Sequence, residues 1–332
     1  MVLRRATALC AAVALVLVAA PATVASAGGP TFALKPASPA KHGYFVFAGK
    51  PGATLHGKVR VINIGTTAGR TSLYAVDATT GQTSGAVYRS RQEPRRDMGG
   101  WIGLRKGTVK LGPGQSRVVP FSVRVPSGAL PGQHLGGIVA QRSTSSAGGA
   151  KGGGKQHTFK VRVQELSVIA VQVDLPGPKR VKMTLTGIKV GTQPGHQALL
   201  LGIGNAGNIL LEGRGSLKVA DQSGRLVQSQ NFNLDTFVPE THIDFPVYIQ
   251  GTALPPGKYR GTVTIDYRGR SLTRIFPFTI SAAEAKQVFG TQAAHSAPAS
   301  SSDGTALHVM IAVSVLSIAT AGFFFLRSRG IV

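Results

Sequence analysis

The fold is decided by Phe121-Ser-Val-Arg-Val-Pro-Ser-Gly-Ala-Leu-Pro-Gly-Gln-His-Leu-Gly136, which returns in altered form as Phe245-Pro-Val-Tyr-Ile-Gln-Gly-Thr-Ala-Leu-Pro-Pro-Gly-Lys-Tyr-Arg-Gly261. The offset of about 125 positions matches the length of a β-sandwich domain and is too long for a solenoid repeat. Each copy contains the pattern of a strand, a Pro-Gly turn and a second strand. The sequence therefore predicts an all-β protein with two tandem immunoglobulin-like β-sandwich domains.

Period-two alternation runs through both copies and predicts strands with one buried face. The alternating apolar residues are Val119, Phe121, Val123 and Val125 in the first copy and Ile243, Phe245, Val247 and Ile249 in the second. The Pro-Gly-Pro break at 176–178 places a domain boundary there, so the domains are predicted at 28–175 and 176–281. The Gly- and Lys-rich segment 147–156 is interpreted as the tip of a hairpin.

The two ends of the chain carry targeting and anchoring patterns. Arg4 and Arg5, an apolar run and a small-residue site predict a secretory signal peptide at 1–27. The uncharged segment 306–326 is long enough to form one C-terminal transmembrane helix, and Arg327 and Arg329 follow it. Segment 282–305 is predicted to be a flexible tether, and 327–332 a cytoplasmic tail.

These patterns predict a single-pass type I protein of the cell membrane with an extracellular body. The only cysteine, Cys10, lies in the signal peptide, so the mature chain has no thiol for a disulfide or a zinc site. An exported two-domain protein without disulfides fits the bacterial envelope.

The net charge of +24 is distributed unevenly. Segment 28–175 has 20 Lys and Arg against 5 Asp and Glu, whereas 176–281 has 12 against 6. A basic exported domain attracts anionic wall polymers such as teichoic acids or peptidoglycan carboxylates. The alternative is that the charge only keeps the protein soluble. Nucleic acid is not an expected partner, because the body is outside the cell and no nucleic-acid motif occurs.

No motif in the chain supports catalysis, a cofactor or a metal. The histidines are scattered and the carboxylates do not pair at helix or strand spacing. The glycines of Gly202-Ile-Gly204-Asn-Ala-Gly207 resemble a dinucleotide motif, but no helix pattern follows, so they are interpreted as a strand end and a turn. The protein is therefore not expected to be an enzyme.

The best candidate for a ligand site is the polar segment 88–97 together with the only tryptophan. Guanidinium groups bind carboxylates and phosphates through paired hydrogen bonds, and a neighbouring aromatic ring can stack on a sugar. The alternative is a solvated loop with Trp101 in the core. The candidate residues are Tyr88, Arg89, Arg91, Arg95, Arg96 and Trp101.

Several short motifs in 32–140 together resemble the WxL-interacting protein family, whose first domain was formerly the domain of unknown function 916. The matching residues are Phe32-x-Leu34-x-Pro36, Tyr44-Phe45, Pro51-Gly52, Asn63, Asp77-Ala78-Thr79, Gly81, Tyr88, Leu111-x-Pro113-Gly114, Val125-Pro126, Gly132 and Leu135-Gly136-Gly137-Ile138. The order of signal peptide, two domains, membrane span and basic tail also agrees with this family.

The resemblance implies that the first domain binds peptidoglycan and that the second recognises other ligands, in the family a host-matrix factor. It also implies WxL-type surface proteins as partners. The segment from Trp101 to Leu104 is not a Trp-x-Leu motif, so the chain would be the interacting protein. The predicted function is a membrane-anchored adaptor that binds wall polymer and a protein partner. The alternative is a structural or assembly module that binds surface proteins by strand addition, without wall binding.

Overall fold

The structure is a computed structural model. It describes residues 29–37, 43–105, 107–152, 155–193 and 196–285. The predicted signal peptide, transmembrane helix and cytoplasmic tail, with most of the tether, lie outside these residues. Over the described ranges no helix has the length and apolar character needed to cross a membrane. The all-β class is confirmed, because nearly every described element is a strand.

The chain divides into two units. The first comprises residues 1–182 together with 205–211 and 235–241, and the second contains the rest. The predicted boundary after Leu175 falls at the end of a strand of the first unit. Segments 205–211 and 235–241 belong to the first unit although they follow the boundary in sequence, so a fragment cut at the boundary would lack two pieces of that unit.

The first unit contains ten strands and one helical turn among its described residues. They are β1 (Phe32–Pro36), β2 (Phe45–Ala48), β3 (Thr54–Asn63), β4 (Gly69–Thr80), β5 (Ala86–Tyr88), α1 (Met98–Trp101), β6 (Ile102–Leu104), β7 (Thr108–Leu111), β8 (Ser116–Arg124), β9 (Gly132–Gly152) and β10 (Lys155–Leu175). One sheet has the order β1-β3-β8-β6 and the other β2-β10-β9-β4-β5. In the second sheet β7 also pairs with β4.

The core of the first unit lies between these sheets and uses the predicted alternation. Val119, Phe121 and Val123 of β8 are all buried, whereas Arg124 is exposed. They pack with residues of the opposite sheet such as Ile138 and Val171, neither of which is exposed. Removing these side chains from water supplies the main stabilising term of the sandwich.

The second unit is built from seven strands in its described part. They are β11 (Met183–Gln193), β12 (His196–Asn205), β13 (Leu211–Ala220), β14 (Leu226–Phe237), β15 (Thr241–Tyr248), β16 (Gly257–Tyr267) and β17 (Arg270–Ile280). The sheets have the orders β11-β12-β15 and β14-β13-β16-β17. Residues 282–285, at the start of the predicted tether, form a helical turn in which Ala285 is buried.

The two units share one strand order. The series β1-β3-β8 corresponds to β11-β12-β15, and β10-β9-β4-β5 corresponds to β17-β16-β13-β14. The sequence repeat falls at equivalent places, since Phe121 lies on β8 and Phe245 on β15. The glycines that end the two copies are both closely packed: a Cβ at Gly136 would lie 2.7 Å from Met98 Cβ, and one at Gly261 would overlap Ile188.

A buried asparagine makes the same set of hydrogen bonds at the end of β3 and at the end of β12. Asn63 ends β3, and its Nδ2 donates to the carbonyls of Thr67 and Leu111, while Gly65 N–H donates to Asn63 Oδ1. Asn205 ends β12 in the same way. Its Nδ2 donates to Ile209 and Phe237, and its Oδ1 accepts from Gly207 N–H. The glycines of 202–207 therefore serve a strand end and a turn.

We expect Asn63→Ala and Asn205→Ala each to lower the free energy of unfolding by about 2–4 kcal/mol. Each substitution leaves a buried N–H and two carbonyls without their side-chain partner. Urea unfolding followed by circular dichroism measures the loss for both variants. Asn231→Ala, at an exposed position of β14, serves as the comparison and should lose little stability. Losses below 1 kcal/mol would show that these asparagines do not stabilise the turns that follow β3 and β12.

The hairpin of β9 and β10 is longer than the sequence indicates. The predicted tip at 147–156 is wrong in extent, because β9 continues to Gly152 and β10 begins at Lys155. Their register pairs Lys155 with Gly152 and Leu175 with Gly132 without interruption. Pairing along the partner strand outweighs the low strand propensity of the glycines in this segment.

Candidate functional site

The segment predicted as the ligand site connects β5 with α1 and is positioned by one buried carboxylate. Asp77 on β4 has only 5% of its surface exposed. Its Oδ2 accepts from Arg96 N–H at 2.6 Å and its Oδ1 from Gly99 N–H at 2.6 Å, with Asp97 N–H at 3.2 Å from Oδ2. Hydrogen bonds from several backbone donors compensate the burial of the charge. Asp77 of β4 thus fixes the backbone of the segment at residues 96–99.

An open groove of about 900 Å³ lies beside this segment, within the first unit. Three of the six predicted site residues, Arg89, Arg96 and Trp101, line it. The other lining residues used below are His134, Arg180, Asn208 and Glu240. We call this site the Trp101 groove.

Trp101 combines the two interpretations that the sequence left open. It is half-buried and packs with the core of the sandwich, and it also lines the groove. Its ring centroid lies 4.6 Å from that of His134, with the planes tilted by 44°. One part of the indole is therefore held by the core while another part is available at the groove.

The remaining predicted site residues do not line the groove. Tyr88 packs over Gly137, where an added Cβ would lie 2.7 Å from the tyrosine ring. Burial, followed by the nearby Tyr44, raises the pKa of Tyr88 to about 12. Arg91 lies over the ring of Tyr74, 4.9 Å from its centroid, as a cation–π pair. Arg95 is exposed to solvent.

The arginines at the groove differ in their partners. Arg89 Nη1 donates to Glu93 Oε2 at 2.8 Å. The backbone N–H of Ser90 and then the Arg89 side chain hold the pKa of Glu93 below its usual value. Arg180 Nη2 lies 3.6 Å from Glu240 Oε1, as an exposed ion pair. Within the described residues the guanidinium of Arg96 has no ion pair, so it offers its donors to a ligand.

His134 links two walls of the groove. Its Nδ1 lies 2.9 Å from Asp97 Oδ1 and its Nε2 2.9 Å from the carbonyl oxygen of Leu130. A carboxylate and a carbonyl can only accept, so both ring nitrogens donate when the imidazole is protonated. Burial lowers the pKa of His134, but the hydrogen bond and charge of Asp97 and the Leu130 carbonyl outweigh it, and the pKa is raised overall.

The sequence repeat explains where His134 lies. The second copy has Tyr259 at the equivalent position, and its hydroxyl donates to the carbonyl of Pro255, four residues earlier. His134 bonds to the carbonyl of Leu130, also four residues earlier. The position closes the same turn in both sandwiches, but the imidazole has a second nitrogen, which reaches Asp97.

Several groove residues are not predicted by the sequence. His134 stands out only as part of the repeat, and no local pattern marks Arg180, Asn208 or Glu240. Asn208 is held by hydrogen bonds from its Nδ2 to the carbonyls of Pro131 and Pro178 at 2.9 and 3.0 Å. No group of three or more potential metal ligands occurs in the part of the chain that the structure describes.

We expect His134 to make stability depend on pH. Because its folded-state pKa is above the ordinary 6.5, its contribution is complete below about pH 6.5 and disappears as pH rises through the folded-state pKa. Trp101 fluorescence during urea unfolding, measured from pH 5 to 9, should show a larger midpoint advantage of wild type over His134→Gln at low pH. An advantage that is constant or grows with pH contradicts this assignment.

The comparison with protein families concerns the second half of the chain. Residues 157–289 match the model of the WxL Interacting Protein, host binding domain. The resemblance to the WxL-interacting protein family is thereby confirmed. The matched segment begins in β10 and includes all strands from β11 to β17, whereas the motifs that suggested this family lie in 32–140. No curated protein matches the sequence.

Among solved structures, fimbrial chaperones are similar at low identity. The chaperone–tip adhesin complex of CFA/I fimbriae has a TM-score of 0.35 at 10% identity, covering 74% of this chain and 98% of that chain. The CsuC–CsuE pre-assembly complex of Acinetobacter baumannii has a TM-score of 0.33 at 11% identity, covering 74% and 98%. The E. coli chaperone DraB has 0.30 at 13%, covering 76% and 98%. Similarity at this level transfers no function to the chain.

Proposed function

We propose that this protein is a membrane-anchored adaptor of the bacterial cell surface. Its first sandwich binds peptidoglycan or an anionic wall polymer, and its second binds a protein partner. The membrane part of the proposal rests on the apolar segment 306–326 and the following Arg327 and Arg329. The partner part is supported by the family match, whose name describes interaction with WxL proteins and binding to a host.

One observation carries the wall-binding part: Arg96 and Trp101 both line the groove, and the guanidinium of Arg96 has no ion pair among the described residues. Asp77 fixes the backbone at Arg96, so less conformational freedom is lost on binding. A guanidinium binds carboxylate or phosphate through two parallel hydrogen bonds, and the indole offers a surface to a sugar ring. The excess of cations in 28–175 raises the local concentration of polyanions.

This arrangement favours binding over catalysis. The carboxylates at the groove are engaged by backbone donors, by His134 and by Arg180. General acid–base chemistry needs a group with a free proton position directed at the substrate. We therefore propose that the protein is not an enzyme.

Sedimentation with insoluble cell wall tests the proposal on the full chain in mild detergent. We expect Arg89→Gln/Arg96→Gln to bind at least about tenfold more weakly at low salt, because two charge-assisted contacts are lost. The matched control is Arg95→Gln/Arg105→Gln, which removes the same charge from exposed positions outside the groove. The proposal fails if wild type stays in the supernatant at low salt or if both double variants lose binding equally.

Strand addition remains the second candidate. It is favoured by β17, a strand of eleven residues that pairs with β16 along its whole length. β17 is the last strand in the order of its sheet, and a peptide strand can pair with such an edge. Salt separates the two modes. Wall binding through arginines weakens steeply as ionic strength rises, whereas pairing of backbone groups changes little.

A further inference from the structure

The outer face of the sheet β14-β13-β16-β17 carries cations that the proposed function does not use. The exposed residues Lys218 on β13 and Lys258 and Arg260 on β16 have no ion pair within the described residues. We call these three the cationic face. They belong to the second unit, whereas the residues of the Trp101 groove belong to the first.

The register places the three cations in one continuous row. Lys258 and Arg260 are two residues apart on the same strand, a separation of about 7 Å. Lys218 pairs with Thr262 on the neighbouring strand, so it is a diagonal neighbour of Arg260 at about 7–8 Å. The row therefore presents three positive charges in series, about 7–8 Å apart, to a polymer that carries repeated acidic groups.

The strands of this sheet also carry exposed hydroxyl and amide groups. Thr264 and Thr273 share a hydrogen bond between their Oγ1 atoms at 2.9 Å, and Thr279 pairs with Lys258 across β16 and β17. The exposed side chains of β14 include a hydroxyl and two amides. These are Ser229, Asn231 and Asn233. Such groups exchange hydrogen bonds with sugar hydroxyls.

The nearest acid does not neutralise the cations. Asp221 lines an adjoining cavity of about 530 Å³ together with Lys258 and Arg260. Its carboxylate accepts from Ser223 Oγ at 2.6 Å and from Arg225 Nε at 3.2 Å. Asp266 and Glu212 lie at the other end of the sheet. The positive potential at the row is therefore available to a ligand.

We propose that the cationic face binds an acidic polysaccharide. A protein partner fits this face less well, because protein hot spots use large aromatic or apolar anchors. Among the described residues of the four strands only Ile275 and Leu226, the latter at the start of β14, are large, apolar and exposed. The cations match the acidic groups of the polymer and the hydroxyl and amide side chains match its sugars.

Lysine acetylation with heparin as the probe tests this on the full chain. At a free heparin concentration ten times the dissociation constant, Lys218 and Lys258 should be acetylated about tenfold more slowly. Lys189, which is 70% exposed and paired with Asp244, serves as the internal control and should be unaffected. Heparin should protect Lys218 and Lys258 equally well in Arg89→Gln/Arg96→Gln. Failure of the groove proposal can therefore be distinguished from failure of this one.

Affinity measurements complete the test. Lys218→Gln/Lys258→Gln/Arg260→Gln should make the slope of log affinity against log salt shallower by about three units, roughly one for each contact. The charge-matched variant Lys189→Gln/Arg268→Gln/Arg274→Gln should retain the protection of Lys218 and Lys258. Unprotected Lys218 and Lys258, equal protection of Lys189, or equal protection by neutral dextran or by polyglutamate would overturn the proposal.

Discussion

We expect Asp77→Ala to lower the free energy of unfolding of the first unit by about 3–5 kcal/mol. The variant leaves the backbone N–H groups of Arg96, Asp97 and Gly99 without their acceptor in a buried setting. Trp101 is the only tryptophan of the chain and lies next to this turn. Its fluorescence during urea unfolding measures the loss where it occurs.

Two further variants give the Asp77 experiment its controls. Asp77→Asn keeps one acceptor oxygen and should lose less than Asp77→Ala. Glu93→Ala removes an exposed acid from the same segment and should move the unfolding midpoint little, because solvent screens exposed ion pairs. If Asp77→Ala shifts the Trp101 midpoint no more than Glu93→Ala does, the carboxylate does not hold the segment.

The fold was predictable where the signal is local or repeated. Alternation along 119–125 predicts which residues of β8 are buried, because successive side chains of a strand point to opposite faces. The repeat of 121–136 at 245–261 predicts a second sandwich, and the shared strand order agrees with it. The Gly-rich composition of 147–156 predicted a hairpin tip, but pairing between β9 and β10 continues through most of this segment.

The candidate site was predictable only in part, because its contacts join residues far apart in sequence. His134 is hydrogen-bonded to Asp97, which lies 37 residues away in the sequence, and Gly99 is hydrogen-bonded to Asp77, which lies 22 residues away. No periodic pattern marks such pairs. The arginines of 89–96 form a group in the sequence because they are close in the chain, but the path that Asp77 imposes sends Arg96 to the groove while Arg91 lies on Tyr74.

Phe121→Ala should cost the first unit about 3–5 kcal/mol, as expected for a phenylalanine deleted from a core. Phe121 is only 2% exposed, and its ring centroid lies 4.9 Å from that of Phe45 in an edge-to-face contact. The ring also lies against Gly57, where an added Cβ would overlap it. Trp101 fluorescence during urea unfolding measures the loss, and Phe121→Leu, which keeps most of the volume, should lose less.

The contact between Phe121 and Gly57 makes the two positions interdependent. Gly57→Ala alone should destabilise by about 1–3 kcal/mol, because the Phe45 contact limits how far the ring can move away from the new methyl group. In Gly57→Ala/Phe121→Ala that methyl group enters the space left by the ring, so the double variant should lose less than the sum of the single losses. Strictly additive losses would show that the ring yields to the methyl group, and glycine at position 57 would then not be required by the packing of Phe121.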